Sequence, residues 1–241
     1  MPFSAPPPSR RPSFAAAVFD LDGTLIDSAD DIGRSLNRLL AEFGRPALSN
    51  AAVRAMLGDG STELVRQAFA ADGAPLTPEG LEPAVARYLE IYFEQAVDSG
   101  CLFPGVRETL ERFADSGMRL GLCTNKAEHI TLKILEALDL ARLFDVVAGG
   151  DTLPVRKPDP KPLLWVLDRL GVLPSAAVMV GDNRNDVLAA RAAGMPVVVL
   201  SYGYPRMPVV ELGADRVLDR FADLPAVLEQ LRPPAPVRAP R

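Results

Sequence analysis

The sequence predicts an α/β protein: a doubly wound parallel sheet, a Rossmann-like core, with an inserted helical cap domain. Three observations carry this reading. Short continuous apolar runs recur along the chain, as strands buried on both faces require. Segments with apolar residues at three- and four-residue spacing separate most of them, and such alternation folds into a parallel sheet with right-handed crossovers. The rhythm breaks once, after the first run, where roughly eighty residues of largely helical pattern intervene, far too many for a simple connection.

Taken in order, the strands are expected at residues 15–20, 119–124, 144–148, 177–181 and 197–200, and the helices between them at 106–116, 128–138, 162–170 and 186–193. Within the insertion, Leu36, Leu39, Leu40 and Phe43 share one helical face, and Val85, Tyr88, Leu89 and Phe93 share another, both read as core packing. The loop Leu57-Gly58-Asp59-Gly60-Ser61 has two readings, a plain turn between helices or a loop whose glycines allow close approach to a ligand. Residues 1–13 and 233–241 are rich in proline and arginine and are expected to be flexible tails. The expected division is therefore 14–27 with 101–232 as the α/β catalytic core, and 28–100 as the helical cap.

Composition narrows the class. At 241 residues, 48% hydrophobic and 24% charged, the chain reads as globular, neither disordered nor membrane-embedded. No apolar run approaches the roughly 18 residues of a membrane span. Two arginines near the N-terminus are not followed by the apolar stretch of a secretion signal, so a cytoplasmic location is expected. Two cysteines, Cys101 and Cys123, imply no disulfide framework, and a net charge of −5 disfavours nucleic acid as a partner. Arginine outnumbers lysine 22 to 4, which makes each lysine informative.

The chemistry concentrates at strand ends. In Val18-Phe19-Asp20-Leu21-Asp22-Gly23-Thr24, two carboxylates stand where a buried strand gives way to a glycine turn. Charge there is costly unless cations or donors compensate it, and the carboxyl ends of parallel strands are where α/β proteins bind ligands. Gly181-Asp182-Asn183-Arg184-Asn185-Asp186 repeats the pattern after another apolar run. If the sheet sets Asp182 beside Asp20, the result is an oxygen cluster suited to Mg²⁺. Lys157, in a proline-rich loop, offers the compact ammonium that fits beside a carboxylate and a phosphate. Thr124 and Asn125 offer a hydroxyl and an N–H at the end of a third strand.

These residues together resemble the haloacid dehalogenase superfamily of phosphatases from residue 15 to about residue 230. Asp20-x-Asp22-Gly23-Thr24 resembles that family's first motif, Thr124 its second, Lys157 its third, and Gly181-Asp182-x-x-x-Asp186 its fourth. The resemblance implies that Asp20 is a nucleophile and Asp22 the acid and base, with an aspartyl-phosphate intermediate. It implies Mg²⁺ held by Asp20, Asp22 and Asp182 with Asp186 in support, and phosphoryl oxygens bound by Thr124, Lys157 and turn amides such as that of Gly23. Within the superfamily the chain most resembles bacterial phosphoglycolate phosphatases, through Leu57-Gly58-Asp59-Gly60, Cys123-Thr124-Asn125-Lys126, Gly149-Gly150-Asp151 and Ser201-Tyr202-Gly203-Tyr204. Asn183 stands where serine is usual in that group. The implied reaction is hydrolysis of 2-phosphoglycolate, the alternative being another small phosphorylated metabolite such as a sugar phosphate. The expected partner is that metabolite alone, without nucleic acid or membrane, for a monomer or homodimer.

A carboxylated substrate needs a second cation, and Arg54, Arg66, Lys126 and Arg184 are candidates, with Arg54 preferred beside the Gly58, Asp59, Gly60 loop. Asn125 and Lys126 are assigned with that loop to substrate binding. Residues 28–100 contain neither lysine nor histidine, which argues against Schiff-base and mutase chemistry in the insertion. The spacing Cys101-x5-Arg107 lacks a glycine cradle, and the single histidine, His129, is read as a helix-surface residue. A non-catalytic phosphate-binding regulator is the rival from another class, disfavoured because both Asp20 and Asp22 are present.

Overall fold

The computed structural model describes residues 13–95, 97 and 101–231. The expected tails lie outside the described residues apart from Ser13, as do residues 98–100 and 232 at the edges of the expected cap and core. Among the described residues, six strands form one sheet: β1 (Ala16–Phe19), β2 (Arg119–Cys123), β3 (Val146–Ala148), β4 (Ala177–Gly181), β5 (Val197–Leu200) and β6 (Arg216–Leu218). Their order is β3-β2-β1-β4-β5-β6, and every neighbouring pair is parallel. The sheet is doubly wound, and its strand order reverses between β1 and β4, where such sheets open a ligand crevice.

Period-two alternation explains why these runs make strands. Ala17 and Phe19 of β1, Leu120 and Leu122 of β2, Val178 and Val180 of β4, and Val198 and Leu200 of β5 all enter one apolar cluster. Ala16 and Val18, Cys123, Ala177 and Met179, Val197 and Val199 enter the cluster on the other face. Both faces are covered, so the strands read as unbroken apolar runs. Phe19 anchors the first cluster, its ring 6.0 Å from Phe221 and 6.4 Å from Phe144.

Four helices, α1 (Ala29–Glu42), α2 (Asn50–Met56), α3 (Ser61–Ala70) and α4 (Pro78–Glu94), lie between β1 and α5 (Val106–Asp115). After β2, β3 and β4 come α6 (Glu128–Ala137), α7 (Lys161–Leu170) and α8 (Arg184–Ala193), and α9 (Leu224–Gln230) follows β6. The starts have local causes. Thr77 accepts from Gly80 N–H ahead of Pro78 in α4, and Asn183 with Asp186 forms a capping box on α8. Among the described residues no helix is long and apolar enough to cross a membrane.

Several expected elements are corrected. The strand expected at 144–148 begins at Val146, because residues 141–143 form a 3₁₀ turn. The helix expected from Asp186 begins at Arg184, since its capped first turn is polar and carries no apolar periodicity. β6 escapes the sequence because it is a three-residue edge strand whose Arg216 and Val217 are exposed. In α1, Leu36, Leu39 and Leu40 are buried but Phe43 is 47% exposed. In α4 the buried stripe is Ala84, Tyr88, Ile91 and Tyr92, while Phe93 is 44% exposed and stacks near His129 on α6. That stripe turns toward two partners at once: α1 and α3, and the crevice above the sheet.

Candidate active site

Register decides what meets at the crevice. Phe19 lies level with Leu122 of β2 and Val180 of β4, so Asp20, Thr124 and Asp182 emerge together just past the strand ends. The ladder continues one step into this layer, Asp20 N–H donating to the Val180 carbonyl at 2.9 Å. Lys157 arrives from the loop after β3, and Asp186 from the first turn of α8.

Asp20, Asp182 and Asp186 each present a carboxylate oxygen, all within 4.8 Å of one another, and all three residues are buried. Lys157, 2% exposed, is the cation set among them. Its Nζ lies 2.7 Å from Asp186 Oδ1 and 3.1 Å from Asp20 Oδ1, and donates to the Cys123 carbonyl at 2.6 Å. Burial alone would lower its pKa, but Asp186 and Asp20 raise it, so it stays charged. Removing Lys157, the one cation of the set, would strand buried carboxylates, at a cost of about 3–5 kcal/mol.

One ammonium against three carboxylates leaves an excess of two negative charges. The excess shows in proton affinity: burial pushes Asp20 up from 3.8 to about 6, with Lys157 pulling it down and Asp186 pushing it further up. Asp182 is raised well above the ordinary carboxylate range, by burial first and then by Asp186 and Asp20. Close packing keeps the acids in place. Gly23 has φ of +82°, and a Cβ there would lie 2.4 Å from Asp182 Oδ2. Asp182 accepts from Tyr204 N–H at 2.7 Å, and Asp186 Oδ2 from the Asp182 and Asn183 N–H groups. A hard divalent cation with oxygen ligands fits both the donor set and the charge excess.

Asp20 and Asp22 have different surroundings. Asp20 Oδ1 accepts from Leu21 N–H at 2.8 Å, and among the described residues Oδ2 makes no hydrogen bond. Asp22 is gripped on both oxygens by Lys126 Nζ, at 2.9 and 3.0 Å, and accepts from the Ser28 hydroxyl at 2.5 Å. Lys126 is in turn donor to the Tyr92 hydroxyl of α4 at 2.8 Å. Asp20, Asp22, Lys126, Thr124 and Asn125 line a small cleft of about 50 Å³. The four-helix segment completes the lining with Tyr88 and Tyr92, the 56–61 stretch apart from Asp59, and the apolar Ile32 and Leu64.

The loop carrying Gly58, Asp59 and Gly60 closes this cleft, and side chains that follow four of the strands hold it. Asn125 after β2 and Asn185 after β4 both donate to the Gly58 carbonyl, at 3.0 and 3.2 Å. Asn185 also donates to Asp59 Oδ1 at 2.7 Å. Arg206 after β5 donates to Asp59 Oδ2 at 2.5 Å and to the Leu57 carbonyl, and Arg156 after β3 reaches the Asp59 carbonyl at 3.3 Å. Gly60, at φ +85°, leaves the room that Arg156 occupies.

The structure thus brings Asp20, Asp22, Gly23, Thr124, Asn125, Lys126, Lys157, Asp182, Asp186, Gly58, Asp59 and Gly60 into one region. Arg54 is placed apart. Its guanidinium pairs with Asp27 at 3.1 Å, lies over the Tyr204 ring and lines a separate shallow pocket with Arg206. Arg66 pairs with Glu63, and Arg184 is exposed. Arg107 is committed to the Leu138 and Asp139 carbonyls, which leaves no phosphate cradle to go with the Cys101 spacing. Sequence reasoning missed Tyr92, Asn185, Arg156 and Arg206, whose roles arise only when separate loops meet. The Ser201 to Tyr204 and Gly149 to Asp151 segments prove to be struts. Tyr204 OH accepts from the Ser28 and Ala29 N–H groups to cap α1, and Asp151 accepts from Glu128 N–H to cap α6.

Comparison with known proteins agrees with this geometry. The sequence model of the family described as haloacid dehalogenase-like hydrolase matches residues 17–200. A phosphoglycolate phosphatase of Rhodospirillum rubrum is 46% identical over 213 residues, 87% of this chain and 88% of that protein. One of Caulobacter vibrioides is 41% identical over 211 residues, 88% of this chain and 89% of that protein. The crystal structure of a predicted phosphoglycolate phosphatase from Haemophilus somnus superposes with a TM-score of 0.82 at 33% identity, covering 89% of this chain and 98% of that one.

Two outcomes follow, one from the hydrogen bonds on the loop and one from the raised proton affinity of Asp20. Arg206→Ala is expected to raise hydrogen exchange of the amides at 57–61 about tenfold while leaving β1 and β4 protected, since it removes an ion pair and a carbonyl bond; unchanged exchange in the loop would contradict the grip. With divalent cations chelated, the Asp20 proton stabilises the fold fully below 3.8, and that contribution is lost as pH rises through about 6. The melting temperature of Asp20→Asn should therefore match wild type near pH ~4 and exceed it increasingly up to pH ~7. A gap that does not vary with pH would contradict this.

Proposed function

As this chain belongs to the haloacid dehalogenase-like hydrolases, we propose that it is a phosphatase that hydrolyses 2-phosphoglycolate, with Mg²⁺, through a phosphorylated Asp20. The observation that carries the reading is the pairing of two carboxylates at one small cleft. Asp20 has one oxygen pinned by Leu21 N–H and Lys157 and the other without a hydrogen bond among the described residues, and Asp22 lies beside it.

In this mechanism an Asp20 oxygen attacks phosphorus, the bond from phosphorus to the ester oxygen breaks, and Asp22 protonates the departing alkoxide. Asp22 then takes a proton from water as that water attacks the aspartyl phosphate, releasing inorganic phosphate and restoring the Asp20 carboxylate. Asp20, Asp182 and the Asp22 main-chain carbonyl would hold Mg²⁺, with Asp186 in support. When bound, the ion supplies positive charge against the repulsion between a carboxylate and a phosphate. Lys157, held by the Cys123 carbonyl at 2.6 Å, and the Thr124 hydroxyl, which accepts from Lys126 N–H at 3.3 Å, bind phosphoryl oxygens as donors already in place.

The division into a core of 14–27 with 101–232 and a cap of 28–100 belongs to this reading, with the cap excluding bulk water and selecting the substrate. A reducing cytoplasm suits a chain whose Cys101 and Cys123 take part in no disulfide. One observation favours a second substrate class. Asn125 donates to the Gly58 and Lys157 carbonyls, which fixes its amide and leaves a buried Oδ1 without a donor. A hydroxyl of a sugar phosphate would satisfy it.

Assays of small phosphate monoesters are expected to give the highest kcat/KM for 2-phosphoglycolate, no turnover under chelation, and a loss of about 10⁴-fold or more in Asp20→Asn. A sugar phosphate exceeding 2-phosphoglycolate tenfold would transfer the assignment to the second class. Near-normal turnover by Asp20→Asn would overturn the mechanism.

A further inference from the structure

Asp20, Asp22 and Lys126 are the charged residues lining the cleft, so Lys126 is the cation available there among the described residues. Its side chain is 4% exposed, its Nζ touches both Asp22 oxygens and the Tyr92 hydroxyl, and it lies 4.4 Å from the Tyr92 ring centre. The arginines named from sequence are spent elsewhere or exposed. Arg54 is bound to Asp27 and Arg66 to Glu63, and Arg184 faces solvent. The other lining residues, among them Ile32, Leu64, Ser61 and Tyr88, carry no positive charge, so an anion that met only these would be buried without a cation to compensate it.

We infer that Lys126 is the residue that selects the substrate, by binding a carboxylate carried on the same carbon as the ester oxygen. The inference rests on the phosphatase reading, in which Asp22 meets that ester oxygen. Lys126 Nζ is one hydrogen bond from Asp22, so the group it can reach on the leaving alcohol is the one next to the oxygen that Asp22 protonates. In a 2-hydroxycarboxylic acid that group is the carboxylate. An ammonium has three protons. One serves Asp22, one the Tyr92 hydroxyl, and the third is free to turn to the substrate once the doubled contact with Asp22 relaxes to a single bond. Tyr92 is the positioning residue: its hydroxyl and its ring face both hold the ammonium on the cleft side. A carboxylate one carbon farther from the ester would be displaced from Lys126 toward lining residues that carry no positive charge. Phosphomonoesters of 2-hydroxy acids are therefore the favoured class, ahead of 3-hydroxy acid esters and of esters without a carboxylate.

The test compares 2-phosphoglycolate with its uncharged amide, which keeps the same ester linkage, in wild type, Lys126→Met and Lys126→Arg. Wild type is expected to prefer the acid about a hundredfold in kcat/KM, Lys126→Met to lose at least tenfold of that preference, chiefly through KM, and Lys126→Arg to retain most of it. Equal losses on both esters would show that Lys126 acts only through Asp22, and would overturn the inference. A measurement on the unaltered protein covers the case in which Lys126→Met does not fold. The chain has four lysines, so ¹⁵N-labelled ammonium signals are few. With inorganic phosphate and Mg²⁺ present, glycolate should shift the Lys126 signal and glycolamide should not. A signal indifferent to glycolate would overturn the inference even if 2-phosphoglycolate is turned over. A glycolate-dependent shift with no turnover of any monoester would keep the carboxylate site and sink the proposed reaction instead.

Discussion

Three buried carboxylates facing one buried ammonium is the constraint on which the rest of this structure depends. Asp20, Asp182 and Asp186 come from the ends of β1 and β4 and the start of α8, and the sheet order makes those ends adjacent. Bringing such charges together opposes folding, and the opposition is met locally. Lys157 bridges Asp20 and Asp186, backbone N–H groups hold Asp186 and Asp182, and Gly23 and Gly203 leave space that any Cβ would take from Asp182. What these donors leave unbalanced is two negative charges in a desolvated layer. That residue of charge makes the site useful, because it can be relieved by a divalent cation that also draws in a phosphate.

The cleft depends on the same economy of polar contacts. The 57–60 loop is held by hydrogen bonds from Asn125, Asn185, Arg156 and Arg206, beside the burial of Leu57 in the apolar cluster. Polar contacts of this kind hold a geometry yet exchange with water at modest cost, which suits the substrate-admitting role proposed for the segment. Tyr202 and Tyr204 brace the point where the chain leaves the core. One hydroxyl donates to the Thr24 carbonyl, and the other donates to Asp27 while capping α1. The side chain of Asp27 is thereby committed to Tyr204 and Arg54, and its pKa is lowered by those bonds although burial works against them.

Much of this was legible before any coordinates, for a physical reason. Acids placed after fully apolar runs are expensive unless a site compensates them, so Asp20, Asp22 and Asp182 stood out from their neighbours in the chain. The scarcity of lysine did the same for Lys157. Contacts between loops were not legible, because Asn185, Arg156 and Arg206 carry no local pattern and acquire a role only across the crevice. Arg54 shows the same limit: proximity to the glycine loop in sequence says nothing of Asp27, with which its guanidinium pairs. β6 was hidden because an exposed edge strand lacks an apolar run, and Phe93 misled because α4 turns a different stripe inward.

The central claim is that Asp20 takes the phosphoryl group before water does. Its most direct test is the stereochemical course at phosphorus, followed with the phosphorothioate analogue of 2-phosphoglycolate made chiral by sulfur and two oxygen isotopes and hydrolysed in water carrying the third. Two successive in-line displacements, first by Asp20 and then by water, predict overall retention. Inversion would mean that water attacks the ester directly, and would contradict the account.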